Sequence, residues 1–347
     1  MKEAGEDALV GEDKSMMGLS APSRLVLRPL RGPSDFPGMA EVANASFNAD
    51  GVLARRAPED LARDYAAFTQ CDPYQDAVMA ELDGELVGYG RCWRFTQADG
   101  LTLHSQIGFV PGRWRGRGIG RLLQGWIELR HHTVAAQQPG GPHVHHAYVQ
   151  QGEDARARLL QASGYAPMRY FFEMLQTQLH AVPDFPMPEG LELRPVLPEH
   201  YLTIWDAHHT AFEDHWGMAP PTPQDYDAWL GSRVFRPARW QVAWDGDEIA
   251  GQVRTYINED KNRHLSRRRG YTEFISVGRR WRGRGRGLAR ALIARSLRLL
   301  AQEGMSESAL VVDGENLTGA NRVYEDCGFH TVKRHTIYRK PLVVPEV

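Results

Sequence analysis

Two stretches of this chain carry residues whose types and spacing suit them to gripping an anion. In Val110-Pro111-Gly112-Arg113-Trp114-Arg115-Gly116-Arg117-Gly118-Ile119-Gly120, glycines let the main chain turn its N–H groups inward with no Cβ in the way, and arginines flank them. A helix starting there adds the positive end of its dipole, so the site suits a diphosphate, held by amides and charge-assisted hydrogen bonds. The phrase Arg113 to Gly118 returns verbatim as Arg280 to Gly285. A dinucleotide fingerprint needs Gly-x-Gly-x-x-Gly, and a P-loop needs Gly-Lys before Ser or Thr; neither stretch complies. A turn with solvated arginines and a nucleic-acid patch are the remaining alternatives for one such loop alone.

The elements around the loops repeat too. Leu27-Arg28-Pro29 is matched by Leu193-Arg194-Pro195, Asp83-Gly84 by Asp245-Gly246, and Ser163-Gly164-Tyr165 by Cys327-Gly328-Phe329, all about 165 residues apart. That period is too long for a solenoid and describes a duplicated domain. The proline-rich stretch within residues 176–190 reads as the seam. The expected organisation is a tail over 1–23, one domain over 24–180 and a second over 181–347. Each copy reads as a strand, two helices (35–49 and 58–70; 198–213 and 222–232), and a hairpin turning at Asp83-Gly84 or Asp245-Gly246. A strand ending at Val110 or Val277 follows, then the loop and an amphipathic helix. That helix carries Leu122, Leu123, Trp126 and Leu129, or Leu288, Leu292, Ile293 and Leu297. A last strand, a helix and a terminal strand pair complete a mixed α/β, or α+β, sheet flanked by helices.

Composition restricts the setting. The chain has 347 residues, 42% of them apolar and 24% charged, and no apolar run long enough to span a membrane. Its net charge of -2 argues against a nucleic-acid binder. Three scattered cysteines and no signal-peptide core fit a cytoplasmic protein. The histidines at 131, 132, 143, 145 and 146 invite a metal reading, but no Cys, Asp or Glu nearby completes a ligand set, so no metal is expected.

Val-x-x-x-x-Arg-Gly-x-Gly-x-Gly between strand and helix resembles motif A of the GNAT superfamily of N-acetyltransferases, and Asn316 to Phe329 is similar to its motif B. The tandem arrangement resembles that of the mycothiol synthase family. The resemblance implies two tandem acyl-CoA N-acyltransferase domains, acetyl-CoA as cofactor, a small-molecule or peptide amine as partner, and direct attack without a covalent enzyme intermediate. It implies a general base at Glu273, four residues before Val277, and a general acid at Tyr324, with a backbone N–H near Val277 steadying the oxyanion. The first copy has Gln106 and Leu160 at those sequence places, so it is expected to fold and hold coenzyme A without catalysis. Cofactor contacts are expected from Ile275, Ser276, Val277, Arg282, Gly283, Arg284, Gly285, Arg286, Gly287, Leu288, Ala289 and Asn316. In the first copy they are expected from Val110, Arg115, Gly116, Arg117, Gly118, Ile119 and Gly120.

The second loop holds an extra Arg-Gly unit; keeping the helix in register, with a loop two residues longer, leaves no arginine inside. Because the first helices border the acceptor site in the superfamily, Asp214, His215 and Trp216 are nominated as acceptor contacts. Cys327 reads as a plain buried thiol. A non-catalytic coenzyme A sensor is the rival function.

Overall fold

The computed structural model describes residues 24–68, 71–138, 140–218, 220–282, 287–315 and 319–344. The tail at 1–23, the loop residues Gly283, Arg284, Gly285 and Arg286, and Asn316 lie outside the described residues. The chain forms two compact units, one made of residues up to Met168 with Ile337–Val347, the other of Arg169–Thr336.

In the first unit β1 (Leu25–Pro29) leads to α1 (Phe36–Ala49), α2 (Pro58–Ala67) and the single turn α3 (Pro73–Asp76). The sheet continues through β2 (Ala77–Leu82), β3 (Glu85–Thr96) and β4 (Thr102–Phe109), then α4 (Ile119–Ala136), β5 (His143–Val149) and α5 (Asp154–Ala162). Strands β1 to β4 pair antiparallel in sequence order, and β5 joins β4 in parallel. The β2–β3 turn is the expected Asp83-Gly84, with φ of 52 and 83, which suits a right-handed hairpin.

The second unit takes β6 (Ala166–Gln176) from Arg169 onward and has β7 (Glu192–Leu193), α6 (Tyr201–Phe212), α7 (Pro223–Leu230), β8 (Gln241–Asp245) and β9 (Glu248–Ile257). Next come α8 (Glu259–His264), β10 (Arg269–Val277), α9 (Leu288–Gln302), β11 (Glu307–Asp313), α10 (Ala320–Asp326) and β12 (His330–Pro341). Its strand order is β6-β11-β10-β9-β8-β7. The hairpin turn sits one residue later than read, at Gly246-Asp247, because Asp245 still pairs with Glu248.

Both ends of the expected domains differ from a simple cut at 180. Each copy's last strand was read as its own, yet the second half of β6 pairs with β11, and Ile337 onward folds with the first unit. Strand propensity is local, whereas the choice of ladder partner is not.

In each unit one sheet face is covered by the first two helices and the other by the helix that follows the loop. The first unit packs Phe36, Met39, Phe47, Tyr89 and Phe109 on the α1 face and Ile119, Leu123, Val78 and Val87 on the α4 face. The stripe of α4 runs Ile119, Leu123, Ile127, His131, Val134, while Leu129, assigned to it from sequence, is 67% exposed, two residues and over half a turn from Ile127 on the i,i+4 row. On α9, Leu288, Leu292, Ile293, Leu297 and Leu300 are all buried, roughly 1.5–3 kcal/mol each. Both helices press on a glycine of the hairpin. A Cβ on Gly88 would lie 3.2 Å from Leu123 and one on Gly251 3.1 Å from Leu288. That close approach fixes where each helix N-terminus, and therefore each loop, stands.

Candidate functional site

The site of the second unit begins as a fault in a ladder. The pairing of β10 with β9 slips between Glu273 and Ser276, so β10 carries one extra residue there, and Phe274 takes φ of 50 to accommodate it. On its other side β10 pairs in parallel with β11 only over Arg269–Tyr271 against Glu307–Ala309. Beyond Tyr271 the ladder has ended, and Glu273 to Val277 edge the opening between the two strands. Gly278 donates to the Ala250 carbonyl at 3.0 Å, which makes Val277 and Gly251 a non-hydrogen-bonded pair. The Val277 N–H therefore points away from β9, toward that opening.

Glu273 lies opposite Arg254 of β9, on the face covered by α6 and α7. Its Oε2 accepts from the Tyr256 hydroxyl at 3.0 Å, and Tyr256 stacks on Tyr271 with ring centroids 4.7 Å apart. Burial raises the Glu273 carboxyl above its ordinary value, against the Tyr256 hydrogen bond and the charge of Lys261, which lower it; Glu173 raises it further. A carboxylate tuned upward is the stronger base, which suits it to collecting a proton. Burial also raises the Tyr256 phenol, so it remains a donor.

Tyr324 stands on α10, whose N-cap Gly319 is left-handed, and is 9% exposed among the apolar residues of the α9 face. Burial pushes its phenol up to about 12. Glu273 and Tyr324 thus belong to opposite faces of the same sheet.

The loops are hooked in place by their own arginines. Arg115 donates from Nε to the Val110 carbonyl (3.0 Å) and clamps Asp50 at 2.6 and 2.8 Å, with Ser46 Oγ at 3.1 Å. Arg282 repeats this, donating to the Val277 carbonyl (2.8 Å), to Asp214 (2.8 Å) and to the Ala211 carbonyl. Arg115 and Arg282 were read as phosphate contacts; their guanidinium groups are instead committed to internal acceptors. Asp214, read as an acceptor contact, is the loop's anchor, and Arg279 also approaches it at 3.7 Å. Its two neighbours are packed as well: His215 faces Phe212 with centroids 4.1 Å apart, and Arg169 stacks over Trp216 at 4.8 Å.

Past each hook the helix starts from a left-handed glycine, Gly118 (φ 83) or Gly287 (φ 73), a conformation that favours glycine. Both ends of the two loops therefore correspond, and the extra length of the second falls in 283–286, as the helix-based register requires. In the first unit the N–H groups of Ile119 and Gly120 are left without intrahelical partners, and Gly120 lines a cleft of about 440 Å³. Val110, Arg115, Gly116, Arg117, Gly118 and Gly120 line it, as do Asp50, Gln124, Glu153 and Arg156, which sequence reading missed. The Ile119 side chain does not; it is 1% exposed in the core. These turned amides and glycines, with Arg117 stacked over Trp114 at 4.8 Å beside them, fit a diphosphate.

The two copies differ inside this frame. In β4 the ladder with β3 runs unbroken, Arg91 opposite Ile107 and Cys92 opposite Gln106. Counted through the hairpins, Ile107 and not Gln106 takes the place of Glu273, because the bulge swings Glu273 to the other face. Gln106 points to the α4 side, where its amide and that of Gln124 both donate to the Tyr165 hydroxyl (2.8 and 3.0 Å). Arg156 donates to the Gln106 carbonyl at 2.9 Å, and its sequence counterpart is the small Ala320. Leu160, in the place of Tyr324, is 1% exposed in an apolar cluster.

The histidines of the first unit pair with one another, His104 with His143 at 3.0 Å and His131 with His145 at 2.8 Å, while Nε2 of His131 and of His143 is buried without a partner. Among the described residues no group of three or more His, Cys, Asp or Glu is arranged to hold a metal ion, and no helix is long and apolar enough to cross a membrane. Arg254 was also missed, although the repeat could have revealed it, since Arg91 and Arg254 stand three residues after Gly88 and Gly251.

The model of the family described as Acetyltransferase (GNAT) family matches residues 201–329, inside the second unit. The chain is 32% identical over 264 residues to a mycothiol acetyltransferase of Streptomyces scabiei (strain 87.22), a match covering 76% of this chain and 79% of that one. It is 28% identical over 315 residues to that of Thermobispora bispora, covering 89% and 97%. The crystal structure of a GCN5-related N-acetyltransferase from Sphaerobacter thermophilus superposes with a TM-score of 0.72 at 26% identity, covering 94% of this chain and 98% of that one. A tandem GNAT protein from the clavulanic acid biosynthesis pathway shares the fold, with a TM-score of 0.60 at 15% identity over 93% and 100%.

Proposed function

This chain belongs to the GNAT acetyltransferase family and is an acetyl-CoA-dependent acyltransferase, and we propose that its second unit acetylates the primary amine of a small molecule or peptide while its first unit holds coenzyme A without catalysis. The relatives' name makes a mycothiol-related amine the first acceptor to try. The reading rests on one observation: a one-residue bulge turns Glu273 to the α6/α7 face beside an opening that the Val277 N–H edges.

Acetyl-CoA, when bound, supplies an activated thioester. The main chain of Ile275, Ser276 and Val277 would hold its extended arm, and the amides at Gly287, Leu288 and Ala289 its diphosphate. Glu273 Oε1 or Oε2, directly or through water, takes the proton lost by the acceptor amine. The Val277 N–H donates to oxygen as negative charge develops there, and Tyr324 Oη returns a proton to the departing sulfur. The first unit keeps the cradle but has Ile107 and Leu160 where these groups would stand, and Arg156 bonds the Gln106 carbonyl. Those differences favour a binding role for that unit alone.

Steady-state turnover with acetyl-CoA and an amine panel tests the assignment. Tyr324→Phe is expected to lower kcat by about 100-fold with the KM for acetyl-CoA little changed. A loss of only a few-fold removes Tyr324 as the acid, and tight coenzyme A binding without turnover on any amine favours the sensor reading.

A further inference from the structure

Arg91 of β3 is 9% exposed, and its Nε and Nη1 are buried with no hydrogen-bond partner. Its guanidinium lies over Phe68 at 3.7 Å, with Trp93 at 5.0 Å and Tyr65 at 5.3 Å. The Tyr65 hydroxyl is likewise buried and unpartnered. A stacked ring face compensates a cation only in part, and unsatisfied charged donors are costly to bury. The guanidinium also reaches the Cys71 thiol, which is only a weak acceptor, so Nε, Nη1 and the Tyr65 hydroxyl still point to an acceptor that the described residues do not supply.

The second unit provides the internal comparison. Arg254 occupies the same place, 3% exposed, with Trp229 at 4.8 Å and Phe274 at 5.6 Å. There Nε donates to Gln252 Oε1 (2.9 Å) and Nη2 to the Ile204 carbonyl (3.2 Å). In the first unit the place of Gln252 is taken by Tyr89, whose ring packs on Phe109. Both copies hold the cation among aromatic rings, and the internal amide acceptor is present in the second copy and absent from the first.

We propose that the box of Tyr65, Phe68, Arg91 and Trp93 binds a small organic carboxylate with an apolar body. The guanidinium and the phenol donate to the carboxylate, and the rings cover the body. A monoanion is preferred over a dianion because Arg91 is the cation inside the box, while Asp64, Asp72 and Asp76, against Arg56, lie near enough to act on Tyr65 or Cys71. Tyr65, Phe68 and Trp93 are each half-buried, so the box reaches the surface. The site is independent of acetyl transfer in the second unit.

Calorimetry and saturation-transfer NMR on the full chain, with acetate, hexanoate and benzoate as probes, test it; benzyl alcohol and phenyl phosphate are the neutral and dianionic controls. One saturable carboxylate site is expected, weakened about 10-fold or more in Arg91→Met and several-fold in Tyr65→Phe, and unchanged in Glu273→Gln. Should Arg91→Met not fold, Tyr65→Phe, which removes only a hydroxyl, decides. No saturable binding of any probe, equal affinity in Tyr65→Phe, or phenyl phosphate binding as tightly as benzoate overturns the proposal.

Discussion

Replacing Tyr256 by phenylalanine removes one oxygen and leaves the ring stack on Tyr271 in place. That oxygen is the donor of the 3.0 Å hydrogen bond to Glu273, the largest influence lowering the carboxyl against the burial that raises it. A hydrogen bond to a charged group contributes about 1.5–3 kcal/mol, and about 1.4 kcal/mol corresponds to one pH unit. Glu273 is half-buried at the edge of the opening, so the lower end applies, and its midpoint is expected to rise by about one unit, with Lys261 and Glu173 still acting in opposite senses. Carboxyl-13C glutamate labelling, with Glu273→Gln to assign the signal, reads that midpoint with no acceptor present. The pH profile of kcat/KM on a single amine should move its acidic limb upward by the same amount; comparing variant with wild type cancels the ionisation of the amine itself. A midpoint that stays put or falls would refute the argument that this phenol tunes the base.

Glu273→Gln is expected to cost at least 100-fold in kcat/KM and yet to stabilise the fold at neutral pH. A carboxyl raised by folding binds its proton more tightly folded than unfolded, so its ionisation destabilises the native state above its unfolded pKa; the gain in Tm should be present at pH 8 and vanish below about pH 4. Arg282→Met should raise the KM for acetyl-CoA several-fold more than it lowers kcat, because it frees the loop from Val277, Asp214 and Ala211; equal effects on both would argue for direct contact with the reacting atoms. In the first unit burial lowers His104 to about 4, His145 to about 3 and His146 to about 4, and His131 is lowered too. Their neutral forms are favoured by folding, so stability is full above about pH 6.5 and falls toward pH 4, by up to about 1.4 kcal/mol per pH unit for each histidine. Calorimetric melting of the full chain between pH 8 and pH 5 checks this, and a first unit that melts at one temperature throughout contradicts it.

What the sequence disclosed was local. Helices α1, α2, α6 and α7 begin and end within a few residues of the spans read from periodicity, because proline at the first turns and apolar spacing are properties of short windows. The loops were legible because glycine and arginine act within one turn of chain. What stayed hidden depends on partners far along the chain. Arg115 and Arg282 looked like phosphate ligands by composition, yet each finds a carboxylate just past the end of a helix, about 65 residues before it. Likewise, nothing in Ala166–Gln176 or His330–Pro341 says which ladder will accept it.

The deepest of these hidden features is the slip in β10, and it bears on how a duplicated domain comes to hold one working copy. Side chains alternate along a strand, so one extra residue reverses the face of everything before it. Position counting from Val277 and from Val110 makes Glu273 and Gln106 counterparts, but the ladders place Glu273 with Ile107 and Gln106 with Thr272. Exchanging Gln106 for a glutamate would therefore deliver a carboxylate to the α4 side, against Gln124 and Tyr165, and not to the α1/α2 face. The first unit is separated from the second by a backbone register as well as by side chains. A carboxyl group becomes a base here only where the strand that carries it is also bent to aim it.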